Sequence, residues 1–361
     1  MKEPKSYFTL GGNKHPVFVA EDLKIFSKAW RWRIGTHATE DVFIVIDKNI
    51  QQLYPTLIQE IFEKLPVRVI ETFSIDARED HKSWHTLTEL LQLLFTHSFD
   101  KKAVLVGIGG GIVSDIAGFA ASIIKRGLRL VLIPTSLLAM TDAAIGGKNG
   151  VNFQHLKNQL GTFHIPHFVF VYTPFLQTLP KEHLQSGYAE MLKHALIADV
   201  NLLKNFKKKF YPEFPPINWL CQSIRIKLRI TKKDTYEERW RKLLNFGHTF
   251  GHAFESYFAE TGNPITHGYA VALGIHEEIY LSTQLITTAS SKLSEASNFI
   301  KTHYPLLHVP SWDSLEKYLL HDKKRSSEKI DLILLENIGK PVIKSIPVST
   351  LKLLHEQYRL L

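Results

Sequence analysis

Short, wholly apolar runs alternate with amphipathic stretches through the first half of the chain. "VFIVID" (42–47), "VRVIETF" (67–73), "AVLVGIGGG" (103–111), "LRLVLIPTS" (128–136) and "FVFVYT" (168–173) are rich in Val, Ile and Phe. Runs of this kind predict strands buried on both faces. Between them, 51–64 and 84–97 carry the apolar spacing of helices. Strand–helix alternation of this sort predicts a parallel sheet covered on both faces. Beyond about Leu179 the pattern changes. "KEHLQSGYAEMLKHALIAD", the stretch around 217–233, "LLNFGHTFGHAFESYF" and "GYAVALGIHEEIYLSTQLI" all read as helices, with "YPEFPP" (211–216) as a loop between two of them. The expected class is α/β. An N-terminal Rossmann-like domain with a mostly parallel sheet would occupy residues 1–179, and a mainly α-helical C-terminal domain residues 180–361.

Composition narrows the function. The chain of 361 residues is 44% hydrophobic and 22% charged, as expected of a folded protein with more than one core. Its one cysteine, Cys221, cannot form an intramolecular disulfide, and "MKEPKSYFTLGG" has no apolar signal core. Both features point to the cytoplasm. The apolar window from Ala103 to Ile124 holds one charge, Asp115, but its glycines break it into strand, turn and helix rather than a membrane span. The formal net charge is +9, concentrated at 201–242, where twelve Lys/Arg face four Asp/Glu. No nucleic-acid motif or interleaved aromatic platform accompanies that charge, so a small anionic substrate is the better partner.

Four clusters can carry chemistry. "VLVGIGGGIVSDIAGFAAS" leads a strand through Gly109, Gly110 and Gly111 into a helix, where backbone amides can approach a pyrophosphate. Its GGGxxxD pattern is not the GxGxxG fingerprint, and a tight structural turn is the competing explanation. Asp47, closing an earlier strand, can accept ribose hydroxyls or simply make a turn. "TDAAIGGKNGVNFQHLKNQLGTF" places Asp142, Lys148, Lys157 and Asn158 on what read as loops, suited to a phosphate or carboxylate. "SGYAEMLKHAL" puts Glu190, Lys193 and His194 on one side of a helix, as an ion pair or as a metal ligand beside a substrate cation. Finally, "LLNFGHTFGHAFE" sets His248 and His252 four apart, each after a glycine, and His267 follows. Lys227, Glu237, Arg241, Asn245, His248 and His252 read as successive helical turns. Glu190, His248 and His267 would make a site of one carboxylate and two imidazoles, with His252 as an acid/base group.

Together and in this order these segments resemble the 3-dehydroquinate synthase family of sugar phosphate cyclases, over about Asp47 to Lys340. The segments carrying the resemblance are "GGGIVSDIAGFAAS", "PTSLLAMTDAAIGGKNGVN", "KNQLGTF", "TLPKEHLQSGYAEMLKHAL", "LLNFGHTFGHAFE" and the "HG" and "AVA" around Tyr269. The resemblance implies NAD held by Asp47, Asn49, Glu79, Lys82, Gly110, Gly111, Asp115, Thr135, Ser136, Asp142 and Lys148, with Lys157, Phe175 and Thr178 nearby. It implies a divalent metal, zinc or cobalt, on Glu190, His248 and His267. Substrate contacts would come from Arg126, Lys148, Lys157, Asn158, Lys193, Lys227, Arg241, Asn245, His252 and a late lysine in "HDKKRSS", Lys324 ahead of Lys323. A homodimer is expected, with Arg126 reaching the neighbouring subunit. The implied reaction eliminates phosphate from a seven-carbon sugar acid phosphate, with NAD reduced and regenerated in each turnover. Three positions depart from the family pattern: Tyr269 replaces a glutamate, Asn149 a threonine, and "DTYEE" an acidic stretch. Tyr269 is expected to alter the surroundings of His267. The rival readings are a cyclase for another sugar phosphate, a metal-dependent alcohol or glycerol dehydrogenase, and a silent binding protein of the same fold.

Overall fold

The computed structural model describes residues 7–12, 14–35, 40–63, 65–154, 156–211, 213–305, 308–321 and 328–361. Backbone contacts divide the chain into two compact units. The first is Met1–Leu179 with Lys227–Lys232; the second is Pro180–Ile226 with Lys233–Leu361.

The first unit is built on a seven-stranded sheet. Its strands are β1 (Tyr7–Leu10), β2 (Val17–Ala20), β3 (Glu40–Asp47), β4 (Val67–Ile75), β5 (Val104–Gly109), β6 (Arg129–Pro134) and, after a hairpin of β7 (Lys148–Phe153) and β8 (Leu156–Phe163), β9 (Phe168–Tyr172). The order across the sheet is β1-β2-β9-β6-β5-β3-β4, and every pairing is parallel except β1 with β2. β5 is buried along its whole length, which is why its sequence shows no alternation. Helices α1 (Lys24–Arg33), α4 (Trp84–Phe95) and α5 (Gly111–Ile123) pack on this sheet. The helix expected at 51–64 is two, α2 (Lys48–Leu53) and α3 (Pro55–Glu63). Pro55 lacks the amide a continuous helix needs and begins the second one instead. The chain runs outward from β3 to β4, returns to β5 on the other side of β3, and runs outward again through β6. That reversal between β3 and β5 is where open parallel sheets bind ligands, beyond the strands' carboxyl ends.

The second unit contains α6 (Lys181–Ala198), α7 (Val200–Lys208), most of α8 (Ile217–Lys233), α9 (His248–Glu260), α10 (His267–Leu285), α11 (Lys292–His303), α12 (Trp312–His321) and α13 (Val348–Tyr358). A hairpin of β10 (Lys329–Asn337) and β11 (Lys340–Pro347) joins them. α10 is buried nearly all round from Gly268 to Ser282 and packs against α6, α9, α11 and β10. A helix apolar on every side belongs at the centre. Phe250, Phe254, Leu273, Trp312 and Leu332 fill the core around it. No helix among the described residues is long and apolar enough to cross a membrane; the 103–124 window is β5 followed by α5.

α10 also carries two consecutive buried carboxylates, Glu277 and Glu278. Glu277 Oε1 meets His355 Nδ1 of α13 at 2.7 Å, and the other ring nitrogen faces Pro310 O at 2.9 Å. Burial pushes the Glu277 carboxyl up, against the pull of His355. Removing one partner of such a buried pair leaves a charge in the interior. His355→Ala is therefore expected to cost about 3–5 kcal/mol in urea unfolding, and His355→Gln, which keeps a donor, distinctly less.

Candidate functional site

In the first unit, the strand ends at the sheet reversal carry the sequence candidates for a dinucleotide. Asp47 ends β3 and caps α2, accepting the Asn49 amide at 2.8 Å. Its carboxyl lies above the ordinary range because burial outweighs that hydrogen bond. Gly110 is the N-cap of α5, with no side chain to cap the first-turn amides of that 13-residue helix. Beyond β6, Thr135 donates its amide to Gly109 O (2.9 Å), and Ser136 Oγ accepts from Ala139 (3.3 Å). Lys82 is buried and its ammonium joins Asp115 to Asn158. Burial raises the Asp115 carboxyl, and Lys82 opposes that shift. Glu79, exposed, accepts from Asn152 at 2.8 Å. Lys227 is also buried and donates to Asp142 O (2.6 Å) and Oδ1 (2.7 Å).

Other candidates in this unit sit further out. Lys148, Lys157 and Asn158 are not on loops, as the sequence reading had them, but on the β7–β8 hairpin, where all three are exposed. Gly150 and Gly161 face each other across it, too close for side chains. Asn149 ties the hairpin together by accepting from Thr162 Oγ1 at 2.7 Å. Arg126 is exposed in a turn where it and Lys125 both have positive φ. Phe175 is buried, and Thr178 shares a 2.8 Å hydrogen bond with Tyr54.

In the second unit, three helices bring one carboxylate and three imidazoles together. Glu190 lies on α6, 1% exposed, and is ion-paired with Lys193 one turn later. His248 Nε2 is 3.5 Å and His267 Nε2 3.6 Å from the same oxygen, Glu190 Oε1. The exposed His252 ring is 5.2 Å from His248 and 5.7 Å from His267. Neighbouring His194 is wholly buried against Ser223 and belongs to the core.

The glycine before each histidine has a packing reason. A Cβ on Gly247 would fall 2.3 Å from Ile275 Cγ1 and 2.8 Å from Val271 O, and Gly247 itself has φ +78°. On the facing helix, a Cβ on Gly274 would lie 2.0 Å from Gly247 O and 2.7 Å from Gly251 N. Only glycines let the α9 and α10 backbones touch, and that contact brings His248 and His267 within reach of Glu190. The start of α10 is fixed in turn by Ser186 of α6, whose Oγ accepts the Gly268 amide at 2.9 Å.

The donor set fits a divalent metal. His248 Nδ1 faces Phe246 O (3.2 Å) and His267 Nδ1 faces Glu255 Oε2 (3.2 Å). With a proton on each Nδ1, and the second proton of His267 released, each Nε2 lone pair would be directed towards Glu190, the arrangement of a metal-binding histidine with a second partner. Glu255 was missed by sequence reasoning, although it lies two turns after His248 on one helical face. Lys227, Glu237, Arg241, Asn245, His248 and His252 do not fall on successive helical turns: α8 ends at Lys233, where its stretch was read to end, and residues 240–245 form a 3₁₀ turn before α9. Asp234 accepts the amides of Glu238, Arg239 and Arg241 in the intervening loop, and these bonds hold its carboxyl at about 2. Within that loop Asn245 donates to Glu237 at 3.1 Å, and the buried Arg241 guanidinium to Thr235 O at 2.6 Å. Lys324 and Lys323 lie outside the described residues.

Comparison with known proteins gives concordant matches. A family model for the 3-dehydroquinate synthase N-terminal region matches residues 72–186, and one for the C-terminal region residues 187–325. A curated 3-dehydroquinate synthase from Parabacteroides distasonis is 39% identical over 337 residues, covering 91% of this chain and 92% of the relative. Among solved structures, a 2-deoxy-scyllo-inosose synthase complexed with carbaglucose-6-phosphate, NAD+ and Co2+ superposes with a TM-score of 0.79 at 22% identity, covering 97% of this chain and 99% of the other. A 2-epi-5-epi-valiolone synthase from Streptomyces hygroscopicus with NAD+ and Zn2+ gives 0.76 at 25% identity, covering 90% and 91%.

The two imidazoles that face Glu190 differ in proton affinity. For His248, burial and the neighbouring Lys193 hold the imidazole well below its usual value. For His267, burial acts downward too, but Glu190 and Glu255 outweigh it and raise the ring to about 9. On that basis His267 of metal-free protein would carry a second proton at pH 7, and a metal bound at its Nε2 would have to displace it. Metal affinity should rise as pH increases towards about 9 and then level off. Titration calorimetry in buffers of different ionisation enthalpy should show close to one proton released per metal at pH 7. In the metal-free protein the raised value stabilises the fold fully below about 6.5, and that contribution is lost as pH climbs through about 9.

Proposed function

The chain belongs to the 3-dehydroquinate synthase family, and on that premise we propose that it converts 3-deoxy-D-arabino-heptulosonate 7-phosphate into 3-dehydroquinate and phosphate, with NAD and a divalent metal, zinc or cobalt, as cofactors. The observation that carries the reading is the convergence of Glu190, His248 and His267, with both outer imidazole nitrogens tied down and Lys193 alongside. The NAD+ and the Co2+ or Zn2+ named in the two solved cyclases support the cofactor assignment.

Bound NAD supplies a reversible hydride acceptor, and the bound metal a Lewis acid for the hydroxyl being oxidised. The residues of this chain bind, orient and move protons. Asp47, Asn49, Glu79, Lys82, Asp115, Thr135, Ser136, Phe175, Thr178 and the amides at Gly110 and Gly111 hold the dinucleotide, with Asp142, Lys148 and Lys157 beside it. Glu190, His248 and His267 hold the metal. The substrate carries a phosphate and a carboxylate, and Lys148, Lys157, Lys193, Lys227, Arg241 and Lys324 supply the cations to bind them, with Asn158 and Asn245 as amide partners. Arg241 suits this work because its backbone and guanidinium are both fixed before any ligand arrives, so little ordering entropy is lost on binding. His252, exposed one turn after His248, exchanges the proton of the substrate hydroxyl. Departing phosphate takes the proton from the neighbouring carbon, so no strong base is required of the chain. We further propose that the enzyme is a cytoplasmic homodimer in which the exposed Arg126 serves the neighbouring subunit's site.

Metal-replete protein given NAD and the heptulosonate phosphate should release phosphate and dehydroquinate in equal amounts without accumulating NADH. Steady accumulation of NADH would indicate a dehydrogenase instead. Turnover of glucose 6-phosphate or sedoheptulose 7-phosphate in place of the heptulosonate would mark a cyclase of different substrate. His252→Ala is expected to lower kcat by about a hundredfold with metal content unchanged, measured by phosphate release alongside metal analysis.

A further inference from the structure

Glu278 takes no part in the chemistry just described. It is wholly buried on α10, one residue beyond the Glu277–His355 pair, on the helix that presses against α9. Its Oε2 accepts the Gly247 amide at 2.7 Å. That amide immediately precedes His248. The N-cap of α9 is Gly247, which has no side chain, so the cap comes from another helix.

The Gly247 N–H and the Phe246 C=O belong to one planar peptide group. Glu278 grips its N–H end, while its C=O end faces His248 Nδ1 at 3.2 Å. We propose that Glu278 is a positioning residue for the metal ligand His248, acting through this single peptide group. His267 has a carboxylate, Glu255, directly on its outer nitrogen; His248 has one at the far end of a rigid peptide. The hydrogen bond that this N–H donates to Glu278 polarises the C=O, strengthening its hold on the imidazole proton and turning Nε2 towards Glu190. Burial pushes the Glu278 carboxyl well up, against the Gly247 amide. The 2.7 Å bond makes this side chain a hydrogen-bond acceptor, a role glutamine retains.

This inference rests on the metal reading above, and its test separates the two. Wild type, Glu278→Gln, Glu278→Met and, as a second apolar variant, Glu278→Leu would be prepared metal-free and compared by urea unfolding. Zinc affinity would be measured by chelator competition and the Co2+ site by its visible absorption. Imidazole 15N spectra of the metal-free proteins would report the His248 tautomer. The apolar variants should bind zinc about tenfold more weakly, shift the Co2+ bands and lose the fixed Nδ1–H form of His248. Glutamine should stay within about threefold of wild type and keep both signatures. Apolar variants that keep affinity, bands and tautomer while only unfolding earlier would reduce Glu278 to a structural cap and overturn the proposal. So would a glutamine variant that falls as far as they do. Wild type that binds neither metal defeats the metal reading, while the metal-free tautomer comparison still decides the role of Glu278.

Discussion

Glu190 is a carboxylate with almost no access to water, and the second unit is arranged around the need to keep it there. An unpartnered charge at that depth would cost several kcal/mol. Lys193 offsets part of that cost from the same helix, and the two imidazoles close in from α9 and α10. Neither could approach if the helices stood at ordinary spacing, where side chains hold axes 8–10 Å apart. Gly247, Gly251 and Gly274 remove those side chains, and Ser186 and Glu278 tie the two helix starts by their amides. Burial of the carboxylate, backbone contact and cross-helix capping are thus parts of one arrangement.

The same geometry gives a departure from the expected family pattern a place in the structure. Tyr269 stands where the resemblance implied a glutamate, and a disturbed His267 was the expectation. Its hydroxyl donates to Pro305 O at 2.6 Å and its ring meets Tyr304 edge-on, while Glu255 of α9 holds His267 Nδ1. The histidine keeps an anionic partner. Asn149, in place of a threonine, bonds to Thr162 across the hairpin and sits where a Cβ on Gly118 would approach within 2.9 Å. Its role is to join β7 and β8 beside α5.

What could be read from the sequence follows from how local each signal is. Buried parallel strands announce themselves because β5 and its neighbours are apolar on both faces, and a helix i, i+4 pair such as His248 and His252 is visible in any window. The β7–β8 hairpin was read as loop because asparagines, lysines and glycines interrupt its apolar residues, and its strands pack against α4 and α5. The residues between α8 and α9 were read as helical turns for a different reason: Asp234 makes a loop there by collecting backbone amides, and an aspartate on a polar stretch looks the same whether or not it does so. Glu255, Ser186 and Glu278 act on partners 12, 82 and 31 residues away. No window along the chain contains those pairs.

Charge around Glu190 bears on which ligands this site favours. In the structure the carboxylate and Lys193 neutralise each other, and His248 is held neutral by burial and by that same lysine. A dication joining Glu190, His248 and His267 would displace the His267 proton and still leave the surroundings distinctly positive, since Lys193 is buried and cannot turn to water. Positive charge in a region of low dielectric is stabilised by a ligand that brings negative charge with it. An anionic substrate does so, and a hydroxyl that becomes more acidic on binding adds to it. A neutral polyol such as glycerol brings no such charge, so the buried lysine beside the ligand set favours a cyclase acting on an acid phosphate over a polyol dehydrogenase sharing the fold.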